Sequence, residues 1–172
     1  MEDLKTKQPL ERTGERFRWA LSTLCGTGEL PPMGGTYASA VTVGLYALIR
    51  LAGRPTETIV LAILLGLCTG VGFWLVPWAE QHYGRRDPQP YVLDEVAGYC
   101  LSVLALPAAL PLWAALAGSF LLFRFFDVMK PFPVDQLQKV PGAVGVVADD
   151  LMAGLYANIL LQVIAAVAFK AV

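Results

Sequence analysis

The chain has 172 residues, 56% of them hydrophobic and 16% charged, with a mean hydropathy of +0.55. Soluble domains run nearer about 45 to 50% apolar and about 25% charged, so the composition selects an integral membrane protein. A formal net charge of −1 offers no basic surface, which excludes a nucleic-acid role, and the length suits one domain.

The first 18 residues are polar and mixed in charge, so no cleavable signal peptide is expected. Residues 1–24 read as a cytoplasmic polar tail and an interfacial helix over 15–24. There Phe17, Leu21 and Leu24 fall at helical spacing with arginines opposite. Residues 25–172 read as a single membrane-embedded helical domain. It opens on CGTGELPPMGGT (25–36), a loop whose Gly28, Gly34 and Gly35 permit close approach to a ligand or a helix. The loop lacks the G-K-[ST] ending of a P-loop, and its Glu29 is either a ligand or a solvated charge. Apolar segments follow at 38–51, 58–78, 96–106, 112–126 and 151–169.

The predicted fold class is therefore all-α: an integral membrane bundle of about five hydrophobic helices with an N-terminal interfacial helix. Only the second and fifth segments approach the ~20 residues that span a bilayer, and the short third and fourth meet at PAALP, 107–111. Gly66 with Gly70, and Ala114 with Gly118, have the spacing of small residues between packed membrane helices. Cys25, Cys68 and Cys100 lack any paired spacing and read as small core residues. The one histidine, His82, falls in AEQHYGRRD and is expected to be solvated.

Three acidic clusters border these segments: Asp94 with Glu95, Asp127, and Asp149 with Asp150. Carboxylates in hydrocarbon cost several kcal/mol each, so five beside membrane-like helices point to a site. If the five segments alternate across the bilayer, all three clusters emerge on one side, with the glycine-rich loop and Arg85 and Arg86. Ten Lys and Arg fall on that side (Lys5, Lys7, Arg12, Arg16, Arg18, Arg85, Arg86, Arg124, Lys130, Lys139), against Arg50, Arg54 and Lys170 opposite. The positive-inside rule makes the acidic side cytoplasmic.

Arg124, Asp127 and Lys130 are three residues apart and line one helical face, where an anion could meet them. Arg offers a planar fork to phosphate oxygens and Lys a point charge. Adjacent helical residues point about 100° apart, so each acidic pair is expected to turn one member inward and one aside. Asp149 and Asp150 also admit a plain reading as helix N-terminal charges. Oxygen-only ligands suit a hard cation such as Mg²⁺. Other routes to phosphate-ester cleavage lack their residues. The positions six after the three cysteines are Pro31, Trp74 and Leu106, not arginine, and no Asp-x-Asp is present. Metal-assisted attack by water remains.

In order along the chain, GTGELPPMGGTYAS, LDEVAG, FRFFDVMKPFP and GAVGVVADDLMAG resemble the bacterial phosphatidylglycerophosphatase A family, over about residues 26–154. Gly34 stands where that pattern has proline, and Ala38 where it commonly has glycine. The resemblance implies an all-helical, Mg²⁺-dependent enzyme of the bacterial inner membrane. Its substrate would be the phospholipid phosphatidylglycerophosphate, dephosphorylated to phosphatidylglycerol in the cytoplasmic leaflet. On this reading Asp94, Glu95, Asp127, Asp149 and Asp150 form the catalytic and metal-binding set, with three or four direct ligands and one general base. Arg124, Lys130, Gly28, Gly35 and Thr36 would meet the substrate phosphate. Three other readings compete. One is an ion- or proton-coupled transporter using the same carboxylates, which five short segments and no inverted repeat disfavour. The second is a scaffold whose acids pair with Arg124 and Lys130. The third is a CDP-alcohol phosphotransferase, whose motif spacing is absent.

Overall fold

The structure, a computed structural model, describes residues 13–168. The polar tail with Lys5, Lys7 and Arg12, and Lys170 near the other end, lie outside the described residues. Among the described residues there are seven α-helices and no strand. They are α1 (Thr13–Ser22), α2 (Gly34–Arg50), α3 (Arg54–Tyr83), α4 (Leu93–Val103), α5 (Leu112–Met129), α6 (Val134–Gln138) and α7 (Ala143–Ala168), with a 3₁₀ turn at Thr27–Glu29. The chain is all-α, as expected, and the five apolar segments are α2, α3, α4, α5 and α7.

The helix boundaries follow local chemistry. Pro55 occupies the first turn of α3, where its missing N–H costs nothing, and Gly84 ends the helix in the left-handed region at φ 66°. Between them α3 runs 30 residues, passing through Pro77 and beyond the predicted end at Trp78. That extension corrects the reading of His82. It lies in the last turn of α3, 6% exposed, its ring stacked on Trp78 at 4.8 Å. Cys25 is also corrected: it is exposed, while Cys68 is half-buried and Cys100 buried.

α3, α5 and α7 are long and apolar enough to cross a membrane. Their outward faces are correspondingly greasy, with Ile59, Ile63 and Leu67 on α3, Leu121 and Phe125 on α5, and Ile159 and Val163 on α7 all exposed. The short third segment is different. At 11 residues α4 is about 16 Å long, roughly half of a hydrocarbon core, and it is enclosed by α2, α3, α5 and α7. Tyr99, Cys100 and Val103 on α4 are almost fully buried, and Tyr99 donates or accepts a 2.7 Å hydrogen bond with Ser119 of α5.

Two glycines set the tightest helix contact. A Cβ on Gly98 of α4 would collide with the carbonyl of Asp150, and one on Gly154 of α7 with the carbonyl of Gly98. The backbones of α4 and α7 therefore touch, and Asp94 and Asp150 each sit four residues, one turn, before those glycines. The small residues singled out by spacing behave otherwise. A Cβ at Gly118 would lie 2.9 Å from Leu161, but at Gly66 and Gly70 it would meet nothing within 4 Å.

The PAALP turn that joins α4 to α5 is clamped by two arginines. Arg50 Nη2 donates to the Leu110 carbonyl at 3.0 Å, while Arg54 donates to the carbonyls of Leu106 and Pro107 at 2.6 and 2.9 Å. Buried Glu57 holds both guanidiniums, at 3.2 Å from Arg50 and 3.7 Å from Arg54. The turn thus reverses the chain, so α4 starts and α5 ends at the same end of the bundle.

Candidate active site

At that end a cavity of about 290 Å³ opens between five elements. Pro32, Met33, Gly34 and Gly35 form one wall as the chain enters α2; Asp87, Gln89 and Tyr91 come from the α3–α4 loop. Asp94 and Glu95 enter from the first turn of α4, Arg124, Asp127 and Lys130 from the end of α5, and Asp149 and Asp150 from α7. All five predicted acids line this one cavity. The expectation that each pair would turn one member aside fails: both members of each pair line the cavity. α7 also starts earlier than predicted, at Ala143. Asp149 and Asp150 therefore sit beyond the first turn, where the helix dipole has faded, so N-terminal electrostatics do not account for them.

Asp94, Asp149 and Asp150 are only 5%, 3% and 5% exposed. Arg124 Nη1 lies 2.8 Å from Asp127 and 3.4 Å from Glu95, tying α5 to α4. Lys130 Nζ lies 2.6 Å from Asp149, tying the end of α5 to α7. Lys130 ends α5 in the left-handed region at φ 42°, which swings its side chain toward α7 instead of along the helix. Tyr156 closes the same junction by donating to the Phe132 carbonyl at 2.9 Å.

Six carboxylates against two cations leave a formal excess of four negative charges. The consequence is visible in their proton affinities. Burial, with the charges of Glu95 and Asp87, holds the Asp94 carboxyl well above the usual carboxylate range, against a 2.9 Å hydrogen bond from the Glu95 N–H. Burial pushes Glu95 up to about 8 against the pull of Arg124, with Asp127 adding to the rise. Burial disfavours the Lys130 ammonium, yet the hydrogen bond and charge of Asp149 outweigh it and raise its pKa. Glu95 Oε2 is buried with no hydrogen-bond partner.

The loop residues divide. A Cβ on Gly35 would collide with the Glu95 carboxylate, so this glycine lets the cavity wall close on that acid. Gly28 does not line the cavity; it packs against the Pro90 carbonyl and Gly34, one layer behind the wall. Thr36 does not line it either, and its Oγ1 is buried without a partner. Glu29 is neither a cavity ligand nor a solvated charge, because Trp19 and Tyr83 both donate to it. Sequence reading missed Asp87, Gln89 and Tyr91. Asp87 adopts φ 46° and accepts from Gln138 at 3.2 Å, a tertiary placement that no local pattern announces.

The donors are all oxygen and strongly anionic, which fits a hard divalent cation. Among the described residues, however, no group of three or more His, Cys, Asp or Glu side chains is arranged to hold a metal ion. Three or four direct ligands to one ion do not follow from this arrangement. Mg²⁺ commonly takes one or two carboxylates with water and substrate phosphate, so a preassembled triad is not needed.

Comparison with known proteins converges on one group. The family model described as phosphatidylglycerophosphatase A matches residues 20–165, a span that includes every cavity residue. The chain belongs to the phosphatidylglycerophosphatase A family. A Haemophilus influenzae phosphatidylglycerophosphatase A is 32% identical over 79% of this chain and 81% of its own length. The Escherichia coli protein of the same name is 30% identical over 76% and 73%. A Bacteroides thetaiotaomicron relative, provisionally named a phosphatidylinositol-3-phosphatase, is 33% identical over 83% and 90%. No solved structure gives a significant match. Family membership and three membrane-length helices together fit a bacterial inner-membrane protein.

Proposed function

We propose that this member of the phosphatidylglycerophosphatase A family hydrolyses phosphatidylglycerophosphate to phosphatidylglycerol and phosphate, using Mg²⁺, on the cytoplasmic face of the membrane. One observation carries the reading: six carboxylates, Arg124 and Lys130 share a cavity at one end of a membrane-length helical bundle. A phosphomonoester on a lipid headgroup meets both features, since its acyl chains stay in the bilayer while its phosphate reaches the cavity. Seven of the nine described Lys and Arg lie at the cavity end, which supports its cytoplasmic placement.

In the reaction a water oxygen forms a bond to phosphorus as the bond from phosphorus to the glycerol oxygen breaks, and that oxygen takes up a proton. Asp94, Glu95, Asp127, Asp149 and Asp150 are the carboxylates from which Mg²⁺ ligands would come. The ion would supply Lewis-acid polarisation of the phosphoryl oxygens. The remaining carboxylates include the base that accepts the water proton. Asp127 and Glu95 hold the Arg124 guanidinium in place, and Asp149 holds the Lys130 ammonium, so both cations are oriented before charge develops on the phosphoryl group. The burial of Asp94, Asp149 and Asp150 keeps bulk water from competing.

The test is phosphate release from phosphatidylglycerophosphate in detergent micelles, with Mg²⁺ and after EDTA treatment. We expect turnover that EDTA abolishes and Mg²⁺ restores. Phosphatidylinositol-3-phosphate forms the second arm, because one relative carries that name; faster release there would replace the substrate. Turnover that survives EDTA would remove the metal. Labelling of a cysteine introduced at Arg85 from the periplasmic side would overturn the orientation.

A further inference from the structure

Glu29 is one layer removed from the cavity, yet two helices converge on its carboxylate. Trp19 Nε1 of α1 donates to Glu29 Oε1 at 2.7 Å, and the Tyr83 hydroxyl at the end of α3 donates to the same oxygen at 2.8 Å. The residue closes the 3₁₀ turn that leads directly into the Pro32–Gly35 wall. From there contact is continuous to the site. Gly34 packs on the backbone of Gly28, and Gly35 packs on the carboxylate of Glu95. α1 also braces the opposite wall, since the Ser22 carbonyl accepts from Val92 N–H at 2.9 Å, two residues before Asp94.

We propose that Glu29 is a positioning residue: by binding Trp19 and Tyr83 together it fixes the glycine wall against Glu95 and couples the seating of helix α1 to the shape of the cavity. Rigid placement matters here because displacing a reacting group by about 1 Å can cost on the order of 100-fold in rate. α1 is suited to an interfacial position, with Phe17 60% exposed and Arg18 lying 5.2 Å over the Trp74 ring of α3. Its docking at the bilayer surface would thus be felt at the catalytic carboxylates.

The activity arm rests on the function proposed above; a second arm does not. Phosphate release and amide hydrogen exchange are measured for wild type, Glu29→Ala, Glu29→Gln and the double variant Trp19→Phe/Tyr83→Phe. Glu29→Ala is expected to lower kcat about 10- to 100-fold with KM little changed. Exchange should quicken at residues 27–37 and stay as in wild type across α5 and α7. Glu29→Gln keeps the acceptor oxygen and should stay near wild type in both readouts, while the double variant should follow Glu29→Ala. Wild-type kcat and exchange in Glu29→Ala would overturn the proposal. So would a Glu29→Gln as impaired as Glu29→Ala, which would make charge, not the shared acceptor, the operative property. If the wild type itself releases no phosphate, the proposed function fails and the exchange arm alone decides the role of Glu29.

Discussion

At the end of the bundle away from the cavity, Glu57 is buried between Arg50 and Arg54, Tyr46 donates to it at 3.2 Å, and the arginines' other donors reach backbone carbonyls. At the cavity end six carboxylates face two cations. Both ends bury charge. In the first, two guanidiniums and the Tyr46 hydroxyl surround one carboxylate. Glu57 Oε2 makes no hydrogen bond, as Glu95 Oε2 makes none, but its charge is met by Arg54 at 3.7 Å and by Arg50, which is what a structural cluster requires. In the second, the chain supplies more negative charge than it neutralises, and a cation or a ligand has to complete it. Compensation within the chain therefore separates the clamp from the site.

The largest expected effect breaks the site without breaking the fold. Asp94→Asn or Asp127→Asn should lower phosphate release about 1000-fold, in the range seen when one transition-state contact is lost. Asp94→Asn should leave the thermal midpoint equal or higher, because its amide oxygen can still accept from the Glu95 N–H and it brings no charge into the acidic cavity. Next comes the clamp. Glu57→Ala leaves two guanidiniums around a gap and should cost about 3 kcal/mol in stability by denaturant unfolding, with kcat per folded molecule unchanged. A large loss of kcat there would erase the distinction between the two ends.

Gly98→Ala tests the hinge between them. It should destabilise by about 1 to 3 kcal/mol through overpacking and also lower activity, since the α4–α7 contact sets the approach of Asp94 to Asp150. pH gives a gentler probe. Glu95 has a folded-state pKa of about 8, above its ordinary value near 4.5, so the folded state binds the extra proton. Stability of the EDTA-treated protein should be greatest below the ordinary value, fall as pH rises toward 8, and level off above it. Added Mg²⁺ should flatten the fall. The smallest effect belongs to Lys139→Ala, whose exposed pairing with Asp135 should be worth about 0.5 kcal/mol or less.

The acids were legible in the sequence because a carboxylate beside an apolar segment is an energetic anomaly wherever the fold places it. Their convergence was legible because helix alternation leaves few choices of end. The clamp was not, since Arg50 and Arg54 find carbonyls more than 50 residues away, and a backbone acceptor leaves no trace in residue identity. Gly98 and Gly154 were hidden among other small residues; spacing favoured Gly66 and Gly70, which touch nothing. His82 was misread as solvated because AEQHYGRRD is polar and reads as a loop, whereas α3 continues to Tyr83 and stacks the ring on Trp78. The third and fourth segments were both read as short, with their span left open; the fourth is the membrane-length α5, and the burial of the third by four neighbours is a property of packing.

Asp150→Asn decides most directly between a site and a second structural cluster, with turnover of phosphatidylglycerophosphate and the thermal midpoint measured on the same preparation. Asp150 is buried among other acids and, among the described residues, no Lys or Arg forms an ion pair with it, so removing its charge should leave the midpoint unchanged or raised while turnover falls by about 100-fold or more. A lowered midpoint with turnover per folded molecule intact would contradict the account and make the acidic cavity, like the Glu57 clamp, part of the scaffold.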